Sequence, residues 1–194
     1  MSAAAAQSAA PTLTLTIANS ALARRPSGDR RATLDDPFAT KEKAETFLAA
    51  IAADATRRRR PRFAASRDVL ARLADWRAAL RGLLDALAAG VEPPPECLSV
   101  VNAAAERAMR SKLLTSVMAV EETVSADDPV AWLSALCVDE LSRCDPRRVK
   151  ICARPQCGMV FYDQTRNGAA RWHAEDPCGW RSRDEKRRGV AAPR

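Results

Sequence analysis

Val69, Leu73, Trp76, Leu80, Leu83 and Leu87 recur at alternating steps of four and three. That spacing places them on one stripe of a helix, predicted over residues 66–89 with Ser66 as N-cap, Asp68 in the first turn and Gly90 at the end. The same period predicts a helix over residues 40–55, with Ala44, Phe47, Leu48 and Ile51 on one face. A third begins near Pro94 and Pro95 and runs to about Met109. Asp127, Asp128 and Pro129 cap a fourth, whose buried face is Val130, Leu133, Cys137 and Leu141 and which Asp145 and Pro146 close. Strand signals are fewer. Residues 12–17 (TLTLTI) alternate threonine with aliphatic residues and predict a short strand. Residues 113–124 (LLTSVMAVEETV) predict a strand or half of a hairpin, and residues 159–162 (MVFY) a further strand. The pattern gives a mainly α fold with a small β-element: a helical N-terminal domain over residues 12–146 and a small C-terminal module over 147–190. Residues 1–11 (MSAAAAQSAAP) read as a disordered tail, Pro26-Ser27-Gly28 as a turn, and the arginine-rich run at 57–62 as a solvated linker.

Charge divides the chain at the same place. Net charge is +7, and residues 147–194 hold 12 Lys+Arg against 5 Asp+Glu, which accounts for all of it. The remaining residues balance. Excess positive charge gathered on one small module suits a polyanionic partner, DNA above all. Apolar content of 47% suffices for a core. No run of about 18 uncharged apolar residues exists, so no membrane partner is expected. Arg24 and Arg25 follow the weakly apolar opening stretch instead of preceding it, which does not fit a secretory leader; a reducing, cytoplasmic setting is expected.

In that setting close-set cysteines favour metal over disulfides. Cys152, Cys157, His173 and Cys178 form a C-x4-C-x15-H-x4-C constellation, and His173 is the only histidine. Two clasps of two soft donors each are how a chain builds a closed tetrahedral zinc site, so structural Zn2+ is the expected cofactor. Cys97 and Cys137 lie in apolar helical patterns and read as core residues, and Cys144 as a helix-end residue without a role. Pro155 and Gly158 allow chain reversal around the metal, Asn167-Gly168 marks a turn, and Asp163 orders that turn or the surroundings of the metal. Trp172 shields one side of the site. A short helix from Trp180 to about Arg188 follows, with Arg183 and Arg187 on one face. Within it Asp184 can pair with Arg188 and Glu185 with Arg181. Arg166, Arg171, Arg181, Arg183, Lys186, Arg187 and Arg188 are the candidate nucleic-acid contacts.

The segment C-x4-C-x3-F-Y-D-x-T-R-N-G-x2-R-W-H-x4-C-G-W-R resembles the CGNR zinc finger. In bacterial proteins that finger follows a helical ABATE domain, and those proteins are described as stress-induced transcription regulators. The resemblance covers residues 149–188, and residues 13–20 (LTLTIANS) are similar to that family's opening strand. It implies zinc at the four positions, an ABATE-like domain over 12–146 and DNA binding by the finger. The sequence departs from the family twice: His173 stands where the third ligand is usually cysteine, and the eponymous Asn-Arg pair reads Trp180-Arg181. Imidazole is an accepted zinc ligand, so the first departure preserves the site chemically.

Two functions follow as expectations: a transcription regulator that binds DNA, or a zinc-stabilised protein-interaction module with Phe161 and Tyr162 exposed for contact. A homodimer or another protein is the further partner these readings admit. An enzyme is not expected. His173-Ala174-Glu175 with Pro177-Cys178 echoes the deaminase zinc signature, but no C-x-x-C follows and four protein ligands would close the sphere.

Overall fold

The structure, a computed structural model, describes residues 9–20, 22, 36–55, 63–114 and 120–189. In chain order these form helices α1 (Thr12–Ser20), α2 (Lys41–Ala55), α3 (Arg67–Ala89) and α4 (Pro95–Ala105), then strands β1 (Met109–Leu114) and β2 (Val120–Ser125). Helix α5 (Pro129–Ser142), strands β3 (Val149–Ile151) and β4 (Val160–Tyr162), and helix α6 (Trp180–Arg187) complete the order. Each strand pair is an antiparallel two-stranded sheet.

Helix α3 is the axis. Ser66 Oγ accepts from Val69 N at 3.2 Å, and Gly90 closes the helix in the left-handed conformation at φ 69°. Leu73, Trp76, Leu80 and Leu83 of the stripe are buried; the first three share a core with Ala44 and Leu48 of α2, Val101 of α4 and Leu133 of α5. Fully burying one such side chain contributes about 2 kcal/mol. Trp76 is a packing anchor with its polar edge satisfied: Nε1 donates to Ser134 Oγ (3.1 Å), and that hydroxyl donates to the Val101 carbonyl (2.7 Å). The chain tolerates two buried polar atoms here because each has a partner. Asp128 caps α5 by accepting from Val130 N at 3.2 Å, as its position before Pro129 suggests.

Residues 12–17 are helical, not a strand. Alternating threonines favour β-structure, but α1 buries Thr14, Ile17 and Ala18, a helical spacing. Its N-terminus is capped from far along the chain. Glu140 of α5 accepts from Leu13 N (3.0 Å), Thr14 N (2.8 Å) and Thr14 Oγ1 (2.8 Å). A tertiary carboxylate on the free N–H groups thus overrides a weak local preference. Pro11, the last residue of the expected tail, is buried, and its carbonyl accepts from Leu15 N at 3.0 Å. Helix α4 stops at Ala105, short of Met109, because Met109–Leu114 pairs instead with Val120–Ser125 in a hairpin. Residues 1–8, the turn at 26–28 and the arginine-rich run at 57–62 lie outside the described residues.

The β3–β4 hairpin does not stand apart. Its Val149, Val160 and Tyr162 share a second core cluster with Leu83 and Leu84 of α3 and Ala18 of α1. Asn19, the residue after Ala18, lies alongside β4: its Nδ2 donates to the Val160 carbonyl (2.8 Å) and its Oδ1 accepts from Val160 N (2.9 Å). The amide thereby occupies both backbone groups of one strand residue, as a neighbouring strand would.

Candidate metal centre

Strand β3 delivers the chain directly to Cys152, and the loop that follows turns back at Gly158, which adopts φ 67°. Cys152 N donates to the Met159 carbonyl at 2.8 Å, closing the loop just before β4. Cys157 N donates to the Arg154 carbonyl at 3.0 Å, so the two thiols converge from one knuckle. The second pair arrives on the segment after β4. Ala153 N donates to the Arg171 carbonyl at 2.8 Å and ties that segment to the knuckle, so that His173 enters beside Cys157. A turn over Glu175–Gly179 then carries Cys178 into the same space.

The donor atoms of Cys152, Cys157, His173 and Cys178 all lie within 4.8 Å of one another, and Cys157 Sγ is 3.3 Å from His173 Nδ1. A tetrahedral zinc ion with sulfur at 2.3 Å would separate its donors by about 3.8 Å, a similar span. Cys152 and Cys178 are buried and the other two half-buried. Without a cation the three thiols divide: the hydrogen bond with Cys157 holds the Cys152 thiol far below its ordinary range, at about 3, and the other two are pushed the opposite way. Burial and the nearby Cys152 push the Cys178 thiol up, and the hydrogen bond with Cys152, then burial, does so for Cys157. A divalent ion that takes thiolates removes that opposition. All six cysteines are free. The cluster fits a structural zinc ion, which when bound would link knuckle to turn and, with four protein ligands, leave no position for water.

Cys137, by contrast, sits in the helical core. Burial pushes its thiol up to about 12 against a lowering hydrogen bond to Thr14, as befits an inert packing residue.

A buried carboxylate sets the loop beyond β4. Asp163 is 1% exposed. It accepts from Lys150 Nζ (2.6 Å), Thr165 N (2.9 Å), Thr165 Oγ1 (2.5 Å) and Ala170 N (2.9 Å). Burial acts to raise its pKa, but these bonds outweigh it and hold the carboxyl well below the usual range. Lys150 also reaches the Gly168 carbonyl, and Arg148 Nη1 donates to the carbonyls of Asp163 (2.8 Å) and Thr165 (2.7 Å). Asp163 orders the turn as the sequence suggests; Lys150, Arg148 and Asn19 were not singled out. The hairpin register held one signal, since pairing Val149 with Tyr162 brings Arg148 against Asp163.

Arg166 is exposed on this loop, and Arg171, Arg183, Lys186, Arg187 and Arg188 are exposed, with Arg181 half-buried. They are not one continuous cluster of free charge. Arg183 pairs with Glu175, and Asp184 pairs with both Arg187 (3.2 Å) and Arg188 (2.9 Å). Glu185 faces Arg154 of the knuckle at 3.4 Å. Arg171 and Arg183 meet over one ring, their guanidinium carbons 5.4 and 5.6 Å from the Trp172 centroid. No ion pair engages Arg166, Arg171 or Lys186 among the described residues. Tyr162 is not exposed for a partner: it is only 8% exposed, and its hydroxyl accepts from Asp145 N at 3.1 Å, while Phe161 is half-buried.

A closed set of three cysteines and a histidine, two on the loop between β3 and β4 and two on the segment after β4, defines a small structural zinc module. Residues 148–189 match the CGNR zinc finger family. No curated protein matches the chain. Among the described residues no helix is long and apolar enough to cross a membrane.

Proposed function

We propose that this chain is a bacterial transcription regulator that contacts DNA through the module at 147–190, with the helical residues 12–146 as an ABATE-like domain that senses a signal or forms a dimer. It works in the cytoplasm and is not an enzyme. One observation carries the reading. Asp163, Glu175, Asp184 and Glu185 are each tied to a basic neighbour inside the module, whereas Arg166, Arg171 and Lys186 carry charge with no acidic partner among the described residues. The surplus charge therefore faces outward on a scaffold that zinc holds, the arrangement a phosphate backbone attracts.

The test is a salt titration. Zinc-loaded protein should bind a random duplex with an affinity that falls steeply as salt rises. Arg166→Ala with Lys186→Ala should flatten the log–log slope by about 2, one for each lost phosphate contact. A flat response in the wild type, or no binding at low salt, overturns the proposal. A partner captured from lysate irrespective of salt and nuclease would instead favour a protein-interaction module.

A further inference from the structure

Trp180 is 52% exposed, the only aromatic ring among the large exposed apolar residues described. An indole left half in water presents ring surface on which a flat partner can stack. Its position is fixed: it opens α6 two residues after the ligand Cys178, with Gly179 buried between them. Along α6 it shares a face with Arg183 and Arg187, three and seven residues on. Trp172 lies close by, since a methyl group at Gly179 would come within 3.2 Å of its ring. Through Trp172 the guanidinium groups of Arg171 and Arg183 are gathered to the same place. The result is an exposed indole on a metal-anchored corner, with Arg183 and Arg187 on its side of α6 and Arg171 at the neighbouring Trp172 ring.

We infer that Trp180 is a stacking platform for an unpaired nucleobase, so that the module takes single-stranded DNA. This rests on the proposed nucleic-acid role and names the form of substrate. An indole plane offers any base a face to stack on without reading its edges, and the flanking cations suit the phosphates on either side. The pair between Arg183 and Glu175 is exposed and weak, so a phosphate can displace the carboxylate. Proteins of this chemistry prefer single strands and tolerate many sequences.

The experiment uses the zinc-loaded full chain with a short oligothymidylate, the same strand with its bases removed, and a random duplex. Trp180→Ala should weaken oligothymidylate binding about tenfold, and Trp180→Phe should restore most of it. The base-free strand should bind the wild type as weakly as the intact strand binds Trp180→Ala. Zinc content and duplex affinity should stay within about twofold of the wild type in both variants. Equal oligothymidylate affinity in wild type and Trp180→Ala, with duplex binding intact, overturns this inference and leaves the DNA-binding proposal standing. The absence of binding to any of the three overturns both.

Discussion

Trp76 and Trp132 lie wholly inside the helical part of the molecule, while Trp172 is half-buried and Trp180 exposed in the C-terminal module. The two regions solve the same problem by different means. Between α2 and α5 the chain has length enough to wrap helices around its own aromatics, and apolar burial holds the arrangement. Residues 148–189 are too few for that. Their largest buried apolar residues are Val149, Val160 and Tyr162, and these lean on α3 and α1. What fixes the rest is polar and ionic: the four metal donors and the buried Asp163 carboxylate. A module that does not depend on its tryptophans for a core can present one outward.

Removing a ligand should produce the largest effect. Structural zinc supplies apparent binding energy on the order of 10 kcal/mol in modules of this size. Cys152→Ser should lower zinc content and bring backbone hydrogen exchange in residues 149–178 close to the unfolded rate. The helices around Trp76 should remain protected. If the hairpin stays protected in the variant, or in the wild type under chelator, the metal is not what holds it.

Asp163 should come next. Truncating a buried carboxylate that holds a lysine and three further donors typically costs about 3 kcal/mol, so Asp163→Ala should lower the denaturation midpoint and loosen residues 163–170. The effect has a pH signature. Asp163 has a depressed folded pKa, so its contribution is fully present above the unfolded value of about 4 and fades as pH falls through and below it. The stability gap between the wild type and Asp163→Asn should therefore narrow below roughly pH 4. A gap that stays constant there would mean that shape, not charge, accounts for the role of Asp163.

How much of this was legible in the sequence follows the same division. The stripe on α3, the face of α2, the Asp128 cap and the strand at residues 160–162 repeat a local period or cap, so neighbouring residues reveal them. The metal donors were legible because soft ligands at short spacing have few other uses in a reducing setting. What was missed depends on partners distant in the chain. Helix α1 reads as a strand until Glu140, more than a hundred residues on, supplies its missing acceptors. Lys150 looks like one more surface cation until the hairpin register turns it toward Asp163. Asn19 looks like a helix-end residue, and nothing near it announces β4.

Asn19 should give the smallest change, and it asks whether the two regions are separate at all. Its amide is the polar link from α1 to β4, and the buried cluster of Ala18, Leu83, Leu84, Val149 and Val160 surrounds it. Asn19→Ala would leave the Val160 N–H and carbonyl buried without partners, at a cost of about 2 kcal/mol. If the regions are energetically coupled through this contact, that loss should appear in both. The helical unfolding midpoint should drop, and zinc should transfer to a chelator faster, although Asn19 touches no ligand. If the regions are independent, the helical transition should move while the zinc transfer rate stays at the wild-type value. Coupling is the expected outcome because Val160 sits in both contexts at once: its side chain is 1% exposed in the shared core, and its strand begins directly after the loop that carries Cys152 and Cys157. A disturbance at Val160 therefore has a short path to the metal through the hydrogen bond from Cys152 N to the adjacent Met159 carbonyl.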